Sequence, residues 1–147
     1  MEYPEFEIDF VKRTIEIWEK LSNKTEYEVT LLINCLFGLI VIPTEHKYVF
    51  EDYEKYKEFF IKQLKQYASF WPEEPDDDRL VRCMKNALSH LNIDTESENR
   101  KIKFITFKDK EGRYATEFHT EIKFPVNSLK IIARNIADYF LENCIHK

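Results

Sequence analysis

Arg82, Asn86 and His90 recur at steps of four, with Lys85 among them. On a helix of 3.6 residues per turn each step turns only about 40°, so cation, amide and imidazole line one face. These residue types suit one task, which is to grip a phosphodiester and move a proton on it. Imidazole titrates nearest neutrality, so it can take a proton from a ribose hydroxyl or return one to a leaving oxygen. A nearby arginine or lysine stabilises the charge that builds on phosphate. Asparagine can orient the ring or bind a phosphate oxygen. The competing account is a solvated helix face, with His90 close to a C-terminus whose dipole favours imidazolium. Surface arginines and histidines are common, so the local pattern alone favours the solvated face.

The element that must carry these residues is a helix beginning near Asp77 or Asp78, either of which can cap it. Leu80, Val81, Met84, Ala87, Leu88 and Leu91 recur at steps of three and four and mark its buried stripe. Lys85-Asn86-Ala87-Leu88-Ser89-His90 resembles the Arg-Asn-x-x-x-His signature of the HEPN superfamily. A second stretch, Asn34-x-x-x-Gly38-Leu39-x-x-x-Pro43-x-Glu45, is similar to a segment of a small plasmid-borne HEPN branch. That branch also carries Asn-Ala-x-x-His-x-Asn, matched here by Asn86, Ala87, His90 and Asn92.

The resemblance implies an all-helical fold and a homodimer whose two motif helices meet in a shared cleft. It also implies metal-independent endoribonuclease activity of the toxin–antitoxin or phage-defence kind, with no cofactor. In that chemistry the ribose 2′-hydroxyl attacks the adjacent phosphate. His90 would be the acid/base, Lys85 or Arg82 would steady the phosphate, and Asn86 would orient. Arg79 and Asn92 are the expected RNA contacts, and Glu45 would support the site from behind. Here the family's arginine falls on Lys85, which keeps the charge but loses the planar fork that grips phosphate in two places. The resemblance therefore leaves a second reading: a catalytically inactive regulator that binds RNA, a nucleotide, an antitoxin or a nucleotidyltransferase. A purely structural dimerisation domain is the third.

The 147 residues suit one domain, 1–147. Forty-four per cent are apolar, enough for a sizeable core, and only two are glycine, which favours helices over a loop-rich fold. Cys35, Cys83 and Cys144 are odd in number, far apart and set in apolar patterns. They read as reduced core residues of a cytoplasmic protein and not as a metal site. The N-terminus is acidic and carries no signal-peptide pattern, and the apolar run 31–42 reads as too short for a membrane span. Net charge is −5, which argues against a general nucleic-acid binder. The charge is uneven, however: residues 1–78 hold 9 basic and 18 acidic side chains, and residues 79–147 hold 13 and 9. A basic half around the candidate residues fits a selective RNA or nucleotide site better than a sequence-blind DNA wrap, and before the motif is counted it fits a solvated face at least as well.

The remaining elements follow from periodicity. Residues 5–21 read as an amphipathic helix. Thr25 and Glu28 form a capping box before a helix over 27–42 that is apolar nearly all round, central, and ended by Pro43. Asn34 and Gly38 share a side that packs closely on a neighbouring helix or a second copy. Asp52 caps a third helix over 52–69, whose aromatic stripe reads as core. Five carboxylates in 73–78 read as capping and solvation, lacking the spacing of a calcium loop. Residues 94–99 read as a polar linker. A β-hairpin follows over 101–124, turning at Asp109-Lys110-Glu111-Gly112 and carrying His119 on its polar face. The last helix starts at 125–128. The expected fold is mainly α, a bundle of about five helices with one β-hairpin inserted before the C-terminal helix.

Overall fold

The computed structural model describes residues 5–72, 76–110 and 118–145. Asp109 and Lys110, expected to open the hairpin turn, are instead paired strand residues opposite Thr120 and Phe118. Glu111, Gly112, the residues up to Phe118, the His119 side chain, and Glu73, Glu74 and Pro75 of the acidic loop lie outside the described residues. Among the described residues five α-helices and three strands follow in order, with a short 3-10 turn at Lys47–Val49. They are α1 (Phe6–Leu21), α2 (Glu28–Glu45), α3 (Tyr53–Tyr67) and α4 (Asp77–His90), then β1 (Ile93–Glu98), β2 (Lys101–Lys110), β3 (Phe118–Pro125) and α5 (Val126–Asn143). The fold is mainly α, with an antiparallel β element inserted before the C-terminal helix.

α2 is the central helix because it is apolar over most of its surface, with Thr30, Asn34 and Phe37 on its exposed side. Leu32, Leu36, Leu39 and Ile40 are buried completely or nearly so. It is also long and apolar enough to cross a bilayer by length and composition, but half of it is buried within the bundle. Pro43 does not end it. Residues Phe37–Val41 wind as a π-helix and the last turn, Ile42–Glu45, is α again. Proline clashes with the carbonyl four residues back. The wider π turn relieves that clash, and the Thr44 hydroxyl donates to the Ile40 carbonyl at 2.6 Å. Gly38 is buried against α1, whereas Asn34 is exposed, so the two do not share the packing side. The capping box does not form either. Thr25 accepts from the Tyr27 N–H at 3.1 Å, and Tyr27 itself is the N-cap without a side-chain bond.

Asp52 caps α3 as expected, accepting from the Lys55 N–H at 3.2 Å. The cap of α4 is Asp76, which accepts from Arg79 N–H at 2.8 Å, one residue earlier than Asp77. The α4 stripe is buried at Leu80, Val81, Met84, Ala87 and Leu88. Leu91 is instead 73% exposed, and it closes the helix in the left-handed conformation with φ 54°. The Asn92 N–H reaches back to the Ala87 carbonyl at 2.9 Å, so the last carbonyls of α4 are satisfied.

The stretch 94–99 is no linker. It supplies β1, the edge strand of a three-stranded antiparallel sheet in the order β1-β2-β3. Glu98 pairs with Lys101, leaving Asn99 and Arg100 as a two-residue loop with φ of 51° and 66°. Both values are positive, as a type I′ turn requires. Asparagine tolerates this, but arginine pays the Cβ penalty that glycine avoids. Arg100→Gly is expected to stabilise the fold by about 1 kcal/mol, a rise of about 3 °C in melting temperature. A fall in melting temperature would show that the Arg100 side chain contributes more than its backbone costs. The inner face of the sheet, Ile105, Phe107, Ile122 and Phe124, is buried. α4 and α5 cover the sheet, so the motif helix is fixed both to the bundle and to β2 and β3.

Candidate active site

α4 sends its polar side chains to three places. Arg82 and Lys85 line a cleft of about 410 Å³ with Glu45 from the end of α2, Lys47 from the turn after it, and Tyr53 and Lys57 from α3. Asn86 turns to the sheet, where its amide donates to both carboxylate oxygens of Asp109 at 3.3 Å. His90 is the last residue of α4 and is exposed, with no hydrogen bond among the described residues. It does not line the cleft. Eight residues separate Arg82 from His90, about 12 Å along the helix axis. One chain therefore groups the two cations and presents the imidazole apart from them.

Within the cleft, charges are partly matched. Lys85 Nζ lies 2.8 Å from Glu45 Oε1. By donating to that oxygen the ammonium holds the Glu45 carboxyl below its ordinary range. This ion pair joins the two segments that carry the family resemblance. Lys57 is held between Glu54 at 2.8 Å and Asp78 at 2.9 Å. Asp78 therefore serves the cleft instead of capping α4, and Lys57 lowers its carboxyl pKa. Arg82 is exposed and has no ion pair among the described residues. Lys47 lies over the ring of Tyr53 at 4.8 Å. Lys47, Tyr53 and Lys57 join the site only through folding. No local spacing marks them, and the aromatic stripe of α3 reads as core.

Of the two expected RNA contacts, Arg79 is held through its side chain and Asn92 through its backbone. Arg79 is half-buried and its Nε donates to Thr120 Oγ1 at 3.3 Å. Asn92 is half-buried, and its backbone closes α4 and accepts from the Lys108 N–H at 3.0 Å. His46 faces away from the cleft cations. Its Nδ1 lies 3.2 Å from the Tyr48 hydroxyl and 3.4 Å from Glu7 Oε1, and Tyr48 donates to Glu7. The thiols are core groups. Burial pushes Cys35 up to about 11 and Cys83 up to about 12. Neither is a ready nucleophile. Among the described residues no group of three or more His, Cys, Asp or Glu side chains could hold a metal ion.

The arrangement sets Lys47, Lys57, Arg82 and Lys85 with three carboxylates around one cleft, and a solvent-facing imidazole at the end of the helix that carries Arg82 and Lys85. No curated protein and no solved structure matches the chain. The family model described as HEPN pEK499 p136 matches residues 1–147. A match over the full length, with the motif residues held on one helix, places this chain in the HEPN pEK499 p136 family.

Proposed function

We propose that the protein is a metal-independent endoribonuclease of the toxin or phage-defence kind, acting as a cytoplasmic homodimer. The observation that carries this reading is His90, exposed and with no side-chain hydrogen bond among the described residues, on the helix that holds Arg82 and Lys85 in an open cleft. A second copy supplies what one chain separates, since it can set its His90 beside the cations of the first. The ribose 2′-hydroxyl then gives its proton to one imidazole and attacks the adjacent phosphorus. The other imidazole protonates the leaving 5′-oxygen. Arg82 and Lys85 offset the charge on the phosphate oxygens. The products are a 2′,3′-cyclic phosphate and a 5′-hydroxyl. Three buried thiols without a disulfide among the described residues fit a reducing compartment.

The purified protein is incubated with single-stranded RNA in excess EDTA. Cleavage leaving cyclic-phosphate ends is expected, with no cleavage of the all-deoxy strand. Loss of cleavage on chelation, or cleavage of the deoxy strand, would refute the mechanism. The binding-only reading draws on the Glu45–Lys85 pair, which occupies the cation at the family's arginine position. RNA binding without any product, or capture of an antitoxin or nucleotidyltransferase by an inert protein, would favour it.

A further inference from the structure

The cleft holds a carboxylate where the proposed chemistry wants a phosphate oxygen. Glu45 Oε1 sits 2.8 Å from the Lys85 ammonium, as an anionic ligand would. We propose that Glu45 is a built-in competitor for the anion at Lys85. It occupies the cation in the absence of RNA and must yield it when a phosphodiester arrives, so it sets how tightly the cleft takes RNA. This inference rests on the reading that RNA is the ligand.

The two partners are held unequally. Lys85 rises from the middle of α4, whose other face is buried among Met84, Ala87 and Leu88. Its side chain is 25% exposed and stays with the helix, while that of Glu45 is 50% exposed. Glu45 is the last residue of α2, beyond the π turn and Pro43, where the chain leaves the helix. The carboxylate can therefore swing into water while the ammonium remains. An ion pair this open to solvent is weak and readily exchanged. The ammonium has three donors, so it can hand over from carboxylate to phosphate without losing all its bonds at once. Arg82, in the same cleft and without an ion pair among the described residues, gives the incoming phosphate a first foothold. The other two carboxylates of the cleft, Glu54 and Asp78, are tied to Lys57. Glu45 is thus the acid set on the motif helix's own cation. His46 and Lys47 follow it in the chain, and their charge also draws on its carboxylate.

The test is anisotropy of a fluorescein-labelled single-stranded RNA, read in the His90→Ala protein so that the probe stays intact. Adding Glu45→Gln, which keeps the shape and removes the charge, should tighten binding about tenfold, as expected for one opposing charge a few ångströms from the ligand. Adding Lys85→Ala to that pair should cancel the gain. Glu16→Gln, exposed on α1 and outside the cleft lining, should change affinity in the same background by no more than about twofold. Unchanged or weaker binding with Glu45→Gln would overturn the proposal, because the carboxylate would then position Lys85 for RNA. Tightening that survives Lys85→Ala, or equal tightening with Glu16→Gln, would also overturn it in favour of a bulk charge effect. If the parent protein cleaves RNA and Glu45→Gln leaves affinity alone, the competitor falls and the nuclease stands. If the parent neither binds nor cleaves RNA, both fall.

Discussion

His90→Ala should abolish RNA cleavage, with a loss of about 10²- to 10⁴-fold in rate, the usual contribution of a positioned acid or base. The protein should stay folded. The ring is exposed and makes no hydrogen bond among the described residues, so its removal opens no cavity and strands no buried partner. The structural cost is limited to the interaction of the ring with the helix dipole, about 0.3–1 kcal/mol. Circular dichroism and the melting curve should therefore overlay those of the parent within a few degrees, while product bands vanish. His90→Gln, which keeps a polar side chain but cannot shuttle a proton near neutrality, should be equally inactive. Undiminished cleavage by either variant would place the chemistry elsewhere and leave α4 as a binding face.

Gly38→Val should have the largest effect on stability, a loss of about 3 kcal/mol from overpacking. The reason is the contact between α2 and α1. A Cβ at Gly38 would lie 2.9 Å from Thr14 Oγ1, 3.1 Å from Phe10 Cε1 and 3.2 Å from Thr14 Cγ2. Thr14 cannot turn away, because it is buried and its hydroxyl donates to the Phe10 carbonyl at 2.8 Å. Helix propensity alone would favour replacing the glycine, by roughly 1 kcal/mol for alanine. The clash outweighs that gain, so even Gly38→Ala should destabilise. Thr14→Ala combined with Gly38→Ala should recover part of the loss, since the two side chains compete for one space. Thermal melts of the two single variants and the pair decide the matter. Additive losses would mean that the close approach is not what the glycine serves.

The helices were legible in sequence because their burial repeats at helical spacing. α4 shows this most clearly: the expected stripe at Leu80, Met84, Ala87 and Leu88 is the buried one. Leu91 departs from it because the helix has already closed at that residue. β1 was not legible. Ile93–Glu98 exposes nearly every side chain, so no alternation marks it. It is held by backbone pairing and by ions whose partners appear only once the register is known. Asp94 reaches Lys108 at 2.6 Å and Glu96 reaches Lys123 at 2.7 Å. Pro43 misled for a related reason, since its usual effect assumes α geometry and α2 has left that geometry just before it. The candidate site was half legible. Spacing put Arg82, Asn86 and His90 on one helix, but it could not say that Asn86 would be drawn to Asp109 and Lys85 to Glu45. Those contacts span 23 and 40 positions and belong to tertiary packing.

The five-residue π turn in α2 has a consequence for how this protein can change over time. Such a turn absorbs about one surplus residue. Everything beyond it is rotated by about 100° relative to an unbroken helix. Pro43, Thr44 and Glu45 lie beyond it. Deleting one residue inside that turn would swing Glu45 out of line with Lys85 without altering either side chain. The charge balance of the cleft is therefore encoded partly in a count of residues. Insertions and deletions in this helix, as much as substitutions, are the changes that would retune it.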